Sequence, residues 1–308
     1  QNANLNANGV KKNAGNTNVD YITLSFRAAK GLGLSLGARP YSTIGYQLTQ
    51  TQRNQSTMGA ITQTDAYTGS GGLREAYLGV GWQAFKGFSI GANVGYLWGD
   101  LTHNINVSFS DANLAARKRS YDADIRTYKA DFGVQYELPI NKKNSLTLGA
   151  VYGLGHDIKR NATFIDGNDT LTAENAYGLP HSVTAGVAWN YNNRLRLAFD
   201  YTWQQWRKVK PHVIQRTAAV GDLSYAAVEG QFTDRQKFAA GMEYVPNSNG
   251  YKWADHVRYR AGFSYATAYT KINGLEGPVN YLASVGVGLP IVNPAHSDRP
   301  IYLNLGFQ

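Results

Sequence analysis

Hydrophobic and polar positions alternate with a period of two along most of this chain, which predicts β-strands and not helices. In Arg194–Gln204, one face carries Leu195, Leu197, Phe199, Tyr201 and Trp203. The other carries Arg194, Arg196, Ala198, Asp200, Thr202 and Gln204. Successive side chains of a strand point to opposite faces, so the segment offers one surface to lipid and one to water. Its length of about ten residues suits a tilted strand crossing a membrane. The sorting recurs: Val183, Ala185, Val187, Trp189 and Tyr191 oppose Ser182, Thr184, Gly186 and Asn190. Phe238, Ala240, Met242 and Tyr244 oppose Lys237, Gly241 and Glu243, and Tyr259, Ala261, Phe263 and Tyr265 oppose Arg258, Arg260, Gly262 and Ser264. Aromatic residues close many runs, as girdles at the two membrane interfaces do.

The pattern predicts twelve strands, over 20–28, 33–48, 73–85, 87–109, 119–138, 144–156, 181–191, 194–206, 234–245, 257–269, 279–290 and 300–308. Short turns at Lys30-Gly31, Lys86-Gly87, Asn141–Asn144 and Asn192-Asn193 alternate with longer polar segments near 49–72, 110–118, 157–180, 207–233 and 270–278. Short periplasmic turns and long outer loops are the rule for outer-membrane barrels. The expected fold is all-β: a transmembrane antiparallel β-barrel over 19–308, preceded by a polar segment over 1–18 that we expect to be extracellular. With the short turns periplasmic, the first strand runs inward and the twelfth outward, which leaves both ends outside. One more strand before residue 19 and one after residue 308 would return both ends to the periplasm, so we expect a fourteen-stranded barrel in a longer chain.

Composition narrows the class. Tyr (21), Phe (11), Trp (6) and Gly (33) are abundant, which suits a pleated wall with tight turns. The absence of cysteine removes disulfides and thiolate chemistry together. No stretch approaches the roughly 18 consecutive apolar residues of a membrane helix, and Gln1–Asp20 has no apolar core of a signal peptide, so we expect the chain to begin downstream of one. The net charge of +9 raises the question of nucleic acid. The cations are scattered, however, and the densest clusters, Arg117-Lys118-Arg119 and Arg207-Lys208-Val209-Lys210, fall at predicted strand ends. Anionic head groups of outer-membrane lipid and lipopolysaccharide fit them better, and no nucleic-acid role is expected.

The segment Leu179-Pro180-His181-Ser182-Val183, continuing through Asp200-Tyr201-Thr202-Trp203 to Trp206, resembles the FadL/TodX family of outer-membrane transport proteins. So do Phe238–Tyr244, Tyr259–Tyr265 and Ser284–Pro290. The resemblance implies fourteen strands and passage of a hydrophobic small molecule from an outer site to a lateral opening at a kink in the third strand. Counting one strand in front, that strand is 33–48, with Gly37, Arg39, Pro40, Tyr41 and Gly45 as the candidate kink and opening. Proline cannot donate to the ladder, so Pro40 should mark a bulge or gap. The family's amino-terminal hatch has no counterpart in Gln1–Asp20. The Asn293-Pro294-Ala295 segment falls in a predicted periplasmic turn and is taken as turn chemistry.

Other chemistry is weakly supported. The six histidines are isolated, and in His156-Asp157 adjacent strand residues face opposite ways, so neither an enzyme nor a cofactor is expected. Asp166-Gly167-Asn168-Asp169 lacks the spaced ligands of a calcium loop and reads as a polar turn. On the predicted lumen face, Arg194, Arg196, Asp200, Lys237, Glu243, Arg258 and Arg260 form a candidate polar network, either a stiffening ladder or a selectivity surface. Two roles follow from these features. The first is passive uptake of hydrophobic small molecules. The alternative is a structural or accessory subunit of an outer-membrane assembly or secretion complex, in contact with other outer-membrane proteins.

Overall fold

The computed structural model describes the chain except residues 1, 8–9, 16–20, 57–58, 112, 168, 217–222, 248, 273, 292–300 and 308. Its body is one antiparallel sheet of 15 strands. The wall runs through β1 (Ile22–Ala29), β2 (Leu32–Pro40), β3 (Ile44–Ser56), β4 (Gly59–Phe85), β5 (Phe88–Phe109) and β6 (Arg117–Pro139). It continues through β7 (Asn144–Gly153), β8 (Ser182–Tyr191), β9 (Leu195–Gln204), β10 (Arg235–Tyr244), β11 (Arg258–Ala266), β12 (Asn280–Pro290) and β13 (Tyr302–Phe307). The segments β2 and β3 both pair with β4 and form one interrupted strand, so among the described residues the wall has the twelve strands that the alternation predicts. Among the described residues β1 and β13 each pair on one side only.

The tight turns follow from backbone chemistry. Asn192 and Asn193 sit at φ 52° and 53°, and Gly31 and Gly87 at 76° and 84°. Asn and Gly tolerate this region, which two-residue hairpins require. At the moderate connection between β10 and β11, the Trp253–His256 3-10 turn is pinned by Trp253 Nε1 donating to the Pro290 carbonyl at 2.6 Å. The predicted Asn293-Pro294-Ala295 turn lies outside the described residues.

The outward face is apolar and bare: Leu78, Val94, Phe132 and Phe199 are 60, 58, 50 and 46% exposed. In water such a band would be an aggregation surface; in a bilayer it is the lipid contact.

The wall is not of even height. Strands β7–β12 have 9 to 11 residues, enough for one crossing, whereas β4, β5 and β6 have 27, 22 and 23. The region 49–72, expected as a loop, is strand over 49–56 and 59–72: β3 pairs with β4 from Ile44↔Gly71 to Ser56↔Gly59. These residues are polar on both faces because they stand above the membrane, so they lack the alternation that marks the rest. Shorter hairpins occupy the other long connections, at Ala162–Asp166 with Asp169–Ala173, and at His212–Arg216 with Leu223–Ala227. Within the polar segment 1–18, Asn2–Ala7 pairs with Val10–Gly15.

Candidate functional site

At the predicted kink, β2 ends on Pro40 and the chain resumes ladder pairing at Ile44. The partners are Arg74 for Pro40 and Gly71 for Ile44, so the β2–β3 side holds one residue more than β4. That is a β-bulge, placed where proline lacks a donor. The backbone is bridged across it. Tyr41 N and Ser42 N donate to Leu73 O at 2.8 and 3.1 Å, and Leu73 N donates to Ser42 O at 3.1 Å. Gly71, Gly72 and Gly99 line the opposite side at φ 110°, 141° and 153°, conformations that favour glycine.

Just below the bulge, on the lumen face, Arg39 Nε donates to a Glu75 carboxylate oxygen at 2.9 Å. Glu75 is 1% exposed, while half of the Arg39 side chain stays accessible. The Arg39 guanidinium also lies 5.4 Å from the Tyr77 ring centroid. Two residues down, the Thr23 and Tyr77 hydroxyls bond to each other beside Gly37. A Cβ at Gly37 would lie 2.5 Å from the Ile22 carbonyl oxygen and 2.9 Å from the Tyr77 hydroxyl, so glycine is what lets that bond close. Gly45 has open space around it.

Above this pair the lumen face turns apolar. Leu73, Leu97, Ala123 and Ile125 of the wall are buried with Ile158, Ala162, Ala173, Ala176 and Leu179 of the 156–179 connection. Leu97 is 0% and Ile125 1% exposed. The connection is anchored beside them, since Ala162–Asp166 extends the sheet by pairing with β6 from Ala123 to Arg119. Asp166, expected only as part of a polar turn, is buried and holds the guanidinium groups of Arg117 and Arg119. Its carboxylate is therefore committed to arginine. His156 Nε2 and Thr127 Oγ1 share a hydrogen bond at 2.7 Å, and the imidazole ring stacks on Tyr128.

The predicted lumen network resolves into a smaller one. Arg260 Nε donates to Glu243 Oε2 at 2.7 Å, Arg258 Nη1 lies 3.8 Å from Glu243 Oε1, and Arg260 Nη1 donates to Asn304 Oδ1 at 2.7 Å. The Arg258 guanidinium covers the Tyr302 ring at 4.3 Å. Arg194, Arg196, Asp200 and Lys237 make no ion pair among the described residues. The register explains two of them. Asp200 faces Gly186 and Ala239, and Lys237 faces Thr202 and Ala266, so neither meets an opposite charge. Arg194, Arg196, Glu243 and Arg258 line a cavity of about 590 Å³ at the periplasmic end, with Gln135 and Glu137 across from them.

Sequence reasoning missed Glu75, Asp166 and the apolar cluster. The available signal was an exception to the pattern: Leu73, Leu97 and Ile125 are apolar residues on the face that is otherwise polar.

The sheet, its bulge and its apolar exterior define an all-β protein with the wall of a bacterial outer-membrane barrel; among the described residues the two edge strands are not paired with each other. The fold is similar to the toluene transporter TbuX of Ralstonia pickettii, with TM-score 0.54 and 16% identity over 88% of this chain and 72% of that one. It is equally similar to the toluene transporter TodX of P. putida, with TM-score 0.54, 14% identity and the same shares of 88% and 72%. The CymD monoaromatic hydrocarbon channel matches with TM-score 0.53 and 18% identity over 97% of this chain and 79% of its own. Within this class the chain belongs to the BamG family, whose model matches residues 1–308. No curated protein matches it significantly.

Proposed function

We propose that this protein is a non-catalytic barrel subunit of the BAM complex in the outer membrane, using a channel-type fold as a scaffold. The observation that carries the reading is the BamG family match along the whole chain. Two features of the wall support it. A hydrophobic-compound carrier needs an apolar pocket inside and a gap in the wall. Here the apolar part of the lumen is filled by the chain's own Ile158, Ala176 and Leu179, and the bulge after Pro40 is bridged by backbone hydrogen bonds. A fully packed apolar cluster leaves no volume for a ligand of similar size.

Passive uptake of hydrophobic small molecules is the second reading, favoured by the fold shared with hydrocarbon channels and by a bulge where a lateral exit would form. In that case Gly37, Arg39, Pro40, Tyr41 and Gly45 surround the exit, and Arg194, Arg196 and Arg258 set the polarity of the inner mouth. Native mass spectrometry of the protein gently extracted from its own membrane separates the two. A stable assembly with BAM components is expected; a lone barrel retaining a hydrophobic small molecule overturns the subunit reading.

A further inference from the structure

Among the described residues the strand Ile44–Ser56 is paired on one side only. Its 13 residues follow β4 from Ile44↔Gly71 to Ser56↔Gly59 without a register shift, and no described strand bonds its other edge. Among the described residues the pairing of the neighbouring β1 begins at Ile22, opposite Ala38, so the free edge starts above the bulge. The nine residues of β2 already suffice for one crossing, which puts the following strand outside the bilayer for about 40 Å.

The direction of the free backbone groups can be worked out. Thr62, the ladder partner of Arg53, accepts from Ser110 N at 2.8 Å and donates to Ser110 Oγ at 2.9 Å, on the side of β4 away from β3. Backbone polar groups of an antiparallel strand change sides from one residue to the next. Thr62 therefore does not bond Arg53, whose N–H and C=O turn outward. Thr51, Thr49, Gln47 and Gly45 share that direction. Natural edges are blunted by lysine, proline, bulges or shortness. This one has a single charge, Arg53, and no proline.

We propose that this edge takes up an extended, polar strand without cations, from a partner protein at the cell surface, by β-augmentation. The inference rests on the subunit reading. Outward donors and acceptors recurring every second residue, about 6.8 Å apart, match another strand and neither a helix nor a compact loop. On the face shared with the occupant, Gln47, Thr49 and Thr51 favour threonine, serine and amide side chains, and Arg53 disfavours a cation opposite it. The free edge lies beyond the bilayer, so lipid is not its occupant.

The test places a photo-crosslinking amino acid at Gln47 or Thr51 in the intact complex in its own membrane. Strand addition predicts that both sites label one polypeptide, at positions four residues apart in its sequence. Thr49→Pro removes an outward N–H and leaves the ladder to β4 intact, so it should cut labelling roughly tenfold. Thr49→Ala should not, and the mobility of the unheated barrel in electrophoresis confirms folding of both variants. Labelling of Val10–Gly15 of the same chain, of Ile44–Ser56 of a second copy, or of lipid alone overturns the proposal, as does labelling indifferent to Thr49→Pro. An assembly seen by native mass spectrometry with no label at this edge overturns the proposal alone; a lone barrel overturns the subunit reading as well.

Discussion

Leu97→Ala tests whether the upper lumen is closed by the protein's own 156–179 connection. Leu97 is fully buried, between wall residues Leu73 and Ile125 and the incoming Ile158, Ala176 and Leu179. A buried Leu→Ala change costs about 2.7–5 kcal/mol, toward the upper end where the surroundings cannot relax, as in a hydrogen-bonded wall. Some of that contact is with Leu73 and Ile125, which stay in place when the connection lifts. The share that holds the connection down is therefore about 1.5–3 kcal/mol. That corresponds to a rise of roughly 10- to 150-fold in the lifted population. Lys159 and Arg160 give trypsin a reporter in this connection, between His156–Ile158 and Ala162–Asp166. Where closing is fast relative to cleavage, the cleavage rate follows the open population and should rise by the same factor. Leu148→Ala, on a lipid-facing residue that is 42% exposed, is the control and should leave the rate unchanged. Cleavage of Leu97→Ala at the rate of the unsubstituted protein would refute the reasoning, because the cluster would then not be what seals the lumen.

Other expectations concern the wall. Gly37→Ala forces a methyl against the Ile22 carbonyl and the Thr23–Tyr77 bond, and should lower stability by about 1–3 kcal/mol, read from the urea midpoint of tryptophan fluorescence. Asp166→Asn leaves Arg117 and Arg119 without their shared carboxylate; hydrogen exchange of Ala162–Ala173 should accelerate, while the amides of β8–β11 keep their protection. Arg260→Ala removes the 2.7 Å bond to a Glu243 side chain that is 29% exposed, so solvent screening keeps the loss to about 1 kcal/mol or less. A double-mutant cycle with Glu243→Gln should return that coupling.

How far the fold was legible depended on whether a segment touches lipid. Strands such as β9 and β10 alternate because one face meets acyl chains and the other water, and their predicted limits, 194–206 and 234–245, fall within two residues of the observed Leu195–Gln204 and Arg235–Tyr244. The upper half of β4 and β3 beyond Leu48 meet water on both faces, so Gln, Thr and Asn follow one another and the same chain geometry reads as loop. Pro40 was legible as a break because its missing N–H acts locally. The lumen charges were legible only as residue types. Whether Asp200 or Lys237 finds a partner depends on what the register sets opposite, and those neighbours are Gly186, Ala239, Thr202 and Ala266.

The uneven wall bears on the choice between the two roles. In this protein β3–β6 rise well past the single crossing that β7–β12 make, and the apolar residues on their inner face are used for packing against 156–179. Ordering so many residues outside the membrane carries an entropy cost of about 1–2 kcal/mol for each one. Under the proposed subunit role, an edge offered to a partner's strand at the cell surface would give that height a function.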